Sequence, residues 1–289
     1  MSLSLHCPTC AQPLTAAIPD ETLACTNSHI FRYEQDVLVL LDAAFQQKLT
    51  RFLAVFEPLR QKEAKRLEES AVYQTLPFTP HLQTNPEWRM RTYDIAILRQ
   101  LLAGREAQQI LEIGAWNGWL SNWLTQQGYD VTAVDYFADE YDGLRAQKHY
   151  QAKWQAIQMD LTDLSVLNGR FDIVILNRCV QFFANPLAYT GSVQEKVAPG
   201  GLLILIGLSF FQDYAAKAKA VADLHSHLRQ NGIPELQPMK GYLDFVDKQQ
   251  LEARGVQLRP YPQLWRANLK SRFNKAAPRY FYGVYSQAG

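Results

Sequence analysis

Two sets of residues have the types and spacing to do chemistry. The first is Cys7 and Cys10, a gap of fourteen residues, then Cys25 and His29. Two close pairs on two turns can place three sulfurs and one imidazole tetrahedrally around Zn²⁺. With all four positions supplied by protein, no coordination site stays open, so the metal reads as structural. The second set lies in Gln109–Phe137. Ile110, Leu111 and Ile113 predict a strand. Gly114 and Gly118 bracket a turn. Trp119, Leu120, Trp123 and Leu124 recur at helical spacing, and Val131–Val134 predicts the next strand with Asp135 at its carboxyl end. That is half of a nucleotide-binding βαβ unit, in which the carboxylate can accept hydrogen bonds from both hydroxyls of a ribose. Trp116 stands where the dinucleotide fingerprint has its second glycine, so a pyrophosphate is not expected there.

The elements that must position these residues fit within 289 residues, enough for one large domain or two modest ones. Apolar residues make up 47%, which supports a substantial core, and charged residues 20%, below what a disordered chain carries. The net charge of +1 does not advertise a nucleic-acid binder. Three of four cysteines fall in the first 25 residues, too few and too clustered for a secreted disulfide scaffold. No apolar run of signal-peptide or membrane-spanning length is found, so the expectation is a cytoplasmic protein with no membrane partner.

Glu112-x-Gly114-x-x-x-Gly118 resembles motif I of the class I methyltransferases that depend on S-adenosylmethionine (SAM). Within that family it is similar to a bacterial type 11-like subgroup whose motif reads Gly-Ala-Gly-Asn-Gly-Trp-Leu-Ser. Here the run is Gly114-Ala115-Trp116-Asn117-Gly118-Trp119-Leu120-Ser121, with Trp116 the single departure. Its indole is expected to turn away from the cofactor or to pack over it. Residues 1–42 resemble the zinc ribbons of bacterial ribosomal-RNA guanine methyltransferases and of small zinc-ribbon methyltransferase activators, with Asp36–Leu41 as the closing strand.

The resemblance implies an α/β, Rossmann-like sheet of seven strands with helices on both faces. It divides the chain into a ribbon at 1–42, a helical connector or lid at 43–108 and a catalytic domain at 109–289. It implies that Glu112, Gly114, Ala115, Trp116, Gly118, Asp135 and Tyr136 hold the cofactor. Asp160 would take the adenine amino group, with Leu161 beside it. Phe171–Asn177 reads as a strand buried on both faces, and ligands of open α/β sheets bind at its carboxyl edge. Asn177 is therefore placed near the sulfonium, and Arg178, Gln181 and Phe182 within reach of the acceptor. Tyr73, Trp88, Arg91 and Tyr93 are candidate lid residues, and His149 is a candidate base. The Ala198–Gly201 turn and the strand after it match the family, and 256–261 with 279–285 read as an antiparallel pair that alone makes the sheet mixed.

The expected helix from Phe45 meets Pro58, which should break or kink it, and a more polar helix should follow to Tyr73. The charged run at 61–69 and the basic cluster of Lys270, Arg272, Lys275 and Arg279 read as solvated surface. Three functions stay open: methyl transfer to a small organic acceptor, methylation of ribosomal or transfer RNA gripped by the ribbon, and a non-catalytic SAM-binding role. Residues 1–42 contain one Lys or Arg, Arg32, which counts against the RNA reading. Oligomeric state is not legible.

Overall fold

A computed structural model describes residues 3–17, 22–62, 66–105, 108–233 and 235–289. Five strands open the chain: β1 (Ser4–Leu5), β2 (Thr15–Ala17), β3 (Thr22–Ala24), β4 (Ile30–Glu34) and β5 (Val37–Leu40). Three helices follow: α1 (Ala43–Lys62), α2 (Ser70–Tyr73) and α3 (Pro86–Leu102). The middle of the chain holds β6 (Gln109–Ile113), α4 (Trp119–Gln126), β7 (Asp130–Asp135), β8 (Gln155–Met159), β9 (Leu167–Asn168) and β10 (Phe171–Asn177). The remainder is α5 (Pro186–Gln194), β11 (Val197–Phe211), α6 (Ala215–Gln230), β12 (Leu243–Asp244), α7 (Phe245–Ala253), β13 (Gln257–Pro260), α8 (Trp265–Lys270) and β14 (Arg279–Ser286). The fold is the expected mixed α/β, Rossmann-like one. Two compact units compose it, one of residues 1–74 with 109–171 and one of 75–108 with 172–289.

In the first unit the strands lie in the order β6-β7-β8-β5-β4-β3-β2. β6 with β7, β7 with β8 and β8 with β5 are parallel. β5, β4, β3 and β2 then pair antiparallel. Mixed pairing is therefore not confined to the last strands, as the sequence reading had it. β5 is long enough to dock as a sheet strand, and Val37, Leu38 and Leu40 are all fully buried there. β1 makes a second tie by pairing antiparallel with β9, two residues that nothing in the sequence marked as strand.

Helix α1 also departs from expectation. Pro58 lies inside it and the helix continues to Lys62, because contacts outside the helix outweigh the one lost backbone hydrogen bond. Phe52 and Phe56 stack on Phe137, with ring centroids 6.5 and 5.2 Å away. Each such pair contributes about 0.5–1.5 kcal/mol beyond its burial. The polar helix expected next is observed only at Ser70–Tyr73, and part of the charged run at 61–69 lies outside the described residues.

In the second unit the order is β13-β14-β11-β10, with β12 parallel to β11. β14 runs antiparallel to both β11 and β13, as the sequence predicted for the last pair. α3 begins with Asn85 as N-cap and Pro86 behind it, and α7 begins with a reciprocal capping box between Asp244 and Asp247. Among the described residues no helix is long and apolar enough to cross a membrane.

Gly118 is the N-cap of α4 at φ +76°, and a Cβ there would lie 2.4 Å from the indole of Trp154. That indole is a rigid, buried ring and cannot give way. Gly118→Ala is expected to lower stability by about 2–4 kcal/mol, read as a fall in Tm, through left-handed strain plus overpacking. An unchanged Tm would show that the ring is not packed there.

Candidate functional site

The turn after β6 puts three residues in the left-handed region within five positions: Gly114 at φ +79°, Trp116 at +51° and Gly118 at +76°. The N–H groups of Gly114 and Ala115 both donate to the Val134 carbonyl, at 3.0 and 3.2 Å. A tryptophan in this conformation costs about 1–3 kcal/mol. Two charge-assisted hydrogen bonds offset it, each contributing about 1.5–3 kcal/mol. The Trp116 backbone N–H donates to Asp135 Oδ2 at 2.7 Å, and its indole Nε1–H donates to Asp142 Oδ1 at 2.5 Å. Arg60 on α1 donates to both oxygens of Asp142, from Nε at 2.7 Å and Nη2 at 3.0 Å. Its guanidinium also lies 6.0 Å from the Trp116 ring centroid. The indole is thus held on the loop that follows β7.

Asp135 is 5% exposed at the end of β7. Its other oxygen accepts the Phe137 N–H at 3.1 Å. The backbone N–H groups of Trp116, Tyr136 and Phe137 approach a carboxylate that has about four lone-pair sites, so it keeps capacity to accept from a hydroxyl. Burial pushes its pKa up to about 6, against the backbone hydrogen bonds and helped by the nearby Asp142 charge. Glu112 is fully buried and accepts the Ser121 hydroxyl at 2.5 Å, which fixes the first turn of α4 to β6.

Around the same turn several buried polar atoms have no hydrogen-bond partner among the described residues. They are both amide atoms of Asn117, the hydroxyl of Tyr150, and Nε1 of Trp154. Asn117 is 1% exposed. The Tyr150 and Trp154 rings meet at 5.4 Å, and Trp154 is the ring that abuts Gly118. Buried polar groups are nearly always satisfied, so a cluster of unsatisfied ones calls for a polar occupant or ordered water.

The remaining expected residues of this unit are distributed as follows. Tyr136 is buried with its ring 5.9 Å from Phe45 of α1. Asp160 is half-buried and its Oδ1 accepts from the Thr162 N–H at 2.8 Å and hydroxyl at 2.7 Å, while Leu161 is buried. The His149 ring sits between Tyr73, at 4.8 Å, and Tyr141, at 4.9 Å, with Nε2 3.0 Å from the Glu140 carbonyl. Burial lowers its pKa, so the ring is neutral at neutral pH. Tyr73 is fully buried, and burial drives its own pKa far up.

In the second unit Asn177 is buried at the end of β10 and Arg178 follows at φ +58°. Arg178 Nη1 donates to Asp94 Oδ2 at 2.9 Å. The Tyr261 hydroxyl donates to Asp94 Oδ1 at 2.5 Å and accepts the Gly207 N–H at 2.9 Å. Asp94 is fully buried, and any Cβ at Gly207 would come within 2.5 Å of the Arg178 side chain. Asp94, Gly207 and Tyr261 were missed from sequence. One signal could have found Asp94: it is a carboxylate on the apolar face of α3, beside Ile95, Ile97 and Leu98. Trp88 and Arg91 are buried with the guanidinium 4.6 Å from the indole ring, and Tyr93 is half-buried. Gln181 donates to the Arg178 carbonyl at 2.8 Å, and Phe182 is 49% exposed.

At the other end of the first unit, the ligand atoms of Cys7, Cys10, Cys25 and His29 all lie within 4.8 Å of one another. Cys10 and Cys25 sulfurs are 3.6 Å apart, and His29 Nδ1 is 3.5 Å from Cys7 and 3.4 Å from Cys25. Those separations suit a tetrahedron with metal–ligand bonds of about 2.0–2.3 Å. Each pair sits on a tight turn closed by a left-handed residue, Ala11 at φ +57° and Ser28 at +62°. The Gln12 backbone N–H is the main cause that lowers the Cys10 thiol to about 6. The described residues therefore offer a Cys3His donor set that fits Zn²⁺.

Residues 82–253 match the family model described as a methyltransferase domain. A malonyl-[acyl-carrier protein] O-methyltransferase of Enterobacter lignolyticus is 28% identical over 130 residues, covering 45% of this chain and 50% of that protein. A ubiquinone biosynthesis O-methyltransferase of Cereibacter sphaeroides is 32% identical over 99 residues, covering 33% and 39%. The chain spans about half the length of the curated relatives it matches, or less. Among solved structures it is similar to a 1,6-didemethyltoxoflavin-N1-methyltransferase of Burkholderia thailandensis with bound 1,6-didemethyltoxoflavin and S-adenosylhomocysteine. That likeness has TM-score 0.47 and 15% identity, over 93% of this chain and all of that one. With the family model spanning more than half of its length, and with its glycine turn and strand-end carboxylate in place, the chain belongs to the methyltransferase domain family.

Proposed function

We propose that this protein transfers a methyl group from SAM to a small organic acceptor. The observation that carries this reading is Asp135, a buried carboxylate at the end of β7 held by backbone N–H groups and with acceptor capacity left beyond them. That is the arrangement a ribose diol needs. The unsatisfied Asn117 amide beside it supports a polar occupant at the turn. The relatives' names speak of O-methylation, which favours an oxygen nucleophile on the acceptor.

SAM supplies an already activated methyl group, so the protein's task is proximity and alignment. Asp135 would orient the ribose, Asn117 would meet the methionine portion, and Asp160 with Leu161 and Tyr136 would bound the adenine. Glu112 acts by fixing Ser121 and the turn. Asn177 and Arg178 stand at the strand end assigned to the reacting centre, with Trp88, Arg91, Tyr93, Gln181 and Phe182 assigned to the acceptor. Where the acceptor must lose a proton, His149 is the group offered, since burial keeps its ring in the neutral, proton-accepting form. The ribbon, residues 1–42, serves as a structural cap holding Zn²⁺ through Cys7, Cys10, Cys25 and His29, and 43–108 connects it to the catalytic residues 109–289. RNA recognition by the ribbon is not favoured, with Arg32 its one Lys or Arg.

Titration calorimetry with SAM tests the central claim. Binding is expected at neutral pH, with affinity reduced at least about tenfold by Asp135→Asn, since hydrogen bonds to a charged group contribute about 1.5–3 kcal/mol. Affinity should also fall as pH drops through about 6, where Asp135 takes up a proton. Folding stability carries the opposite sign. The pKa is raised above its ordinary 3.8, so the contribution of this group is greatest below that value and is lost as pH rises through about 6. No binding of SAM at high micromolar concentration would refute the assignment.

Metal analysis of the purified protein tests the ribbon. One zinc per chain is expected, lost in Cys25→Ala together with several degrees of Tm. A metal-free protein with an unchanged Tm on chelation would remove zinc from the account.

A further inference from the structure

The last stretch of the chain carries a surface that methyl transfer does not use. From Arg254 to Gly289 there are seven Lys and Arg residues and no Asp or Glu, in a protein whose net charge is +1. Within this stretch, α8 and the turn after it present Trp265 at 58% exposure, Leu269 at 46% and Phe273 at 88%. Trp265 and Leu269 are four apart on α8 and so share a helical face, and Phe273 follows in the turn after it. Arg266, Lys270, Arg272 and Lys275 are interleaved with them and exposed, and among the described residues none of the four is held in an ion pair.

The ridge is fixed from behind. The Asn268 side chain clamps β14 twice, donating to the Tyr280 carbonyl at 3.0 Å and accepting the Tyr280 N–H at 2.7 Å. Ser271 is 1% exposed and its hydroxyl donates to the Asn268 carbonyl at 2.8 Å. The Lys275 carbonyl accepts the Asp213 N–H at 2.9 Å. The segment is therefore a built platform that holds Asn268 and Ser271 inward and leaves its cations and large apolar side chains outward. A solvated loop, the sequence reading of these cations, gives no reason for that orientation.

We propose that this ridge contacts the surface of an anionic lipid bilayer. Trp265, Leu269 and Phe273 would enter the boundary between headgroups and acyl chains, and the four cations would lie among lipid phosphates. Leu269 argues against a single-stranded nucleic acid, because an aliphatic side chain offers no face for a base to stack on. The expectation of no membrane partner rested on the lack of a spanning run, and a peripheral contact needs none.

Vesicle co-sedimentation of the full chain is the test. Phosphatidylcholine vesicles containing one-third phosphatidylglycerol should bring the protein down at low salt, and pure phosphatidylcholine should not. Binding should weaken as added salt shortens the screening length. Reversing Lys270 and Arg272 to Glu should lower partition at least about twenty-five-fold, since each cation near such a surface contributes roughly a factor of five. Trp265→Ser with Phe273→Ser should abolish binding while circular dichroism and SAM affinity stay unchanged, because these exposed residues support neither the core nor the turn. No sedimentation with anionic vesicles overturns the proposal, as does undiminished binding by the Ser variant. Retention on an acidic protein or an RNA in place of vesicles also overturns it.

Discussion

Trp116 is held in a backbone conformation that a large side chain resists, and the glycine turn of the first unit is arranged around that fact. The strain is offset at two places. The backbone N–H of Trp116 is taken by Asp135, and its indole N–H by Asp142. Asp142 is in turn gripped by Arg60, so a helix from the amino-terminal third of the chain reaches the glycine turn through one carboxylate. A glycine at position 116 would adopt the same φ at no cost but would leave Asp142 and Arg60 without their indole partner. The departure from the family motif is thus tied to a structural feature, the docking of α1 on the loop 137–142.

The amino-terminal segment is tied to the same unit by a different force. A segment of about forty residues buries too little apolar surface to fold alone. Here β5 adds main-chain hydrogen bonds to β8 and brings Val37, Leu38 and Leu40 into a core it could not build by itself. β1 with β9 makes a second connection. Metal binding by the Cys3His cluster would lock two turns already closed by backbone hydrogen bonds from Ala11 to Cys7 and from Ser28 to Cys25.

In the second unit the dominant constraint is a buried charge. Asp94 has no exposure, and an isolated carboxylate at such a depth would be very costly. Arg178 and Tyr261 satisfy one oxygen each, and Gly207 supplies the space for the arginine as well as an N–H for the tyrosine. A partly satisfied network of this kind would be worse than an apolar one, so the four residues stand or fall together. The positive φ of Arg178 follows from this grip at the end of β10.

Much of the chemistry was legible along the chain because it is local. Cys7, Cys10, Cys25 and His29 announce themselves by spacing, and the β6–α4–β7 unit by its change of apolar period around two glycines. The position of Asp135 at the end of β7 was legible because the apolar run before it marks the strand. The continuous apolar run of Phe171–Asn177 showed a doubly buried strand, and the last antiparallel pair was clear from its composition. Propensity failed at Pro58, where ring stacking on Phe137 outweighs a lost backbone bond, and at β9, which is a strand only because β1 lies beside it. What the tertiary structure alone decided is which distant groups meet. Asp94 finds Tyr261 across 167 positions and Arg60 finds Asp142 across 82. No periodicity encodes such pairs, since their energy exists only once the chain has brought both groups out of water together.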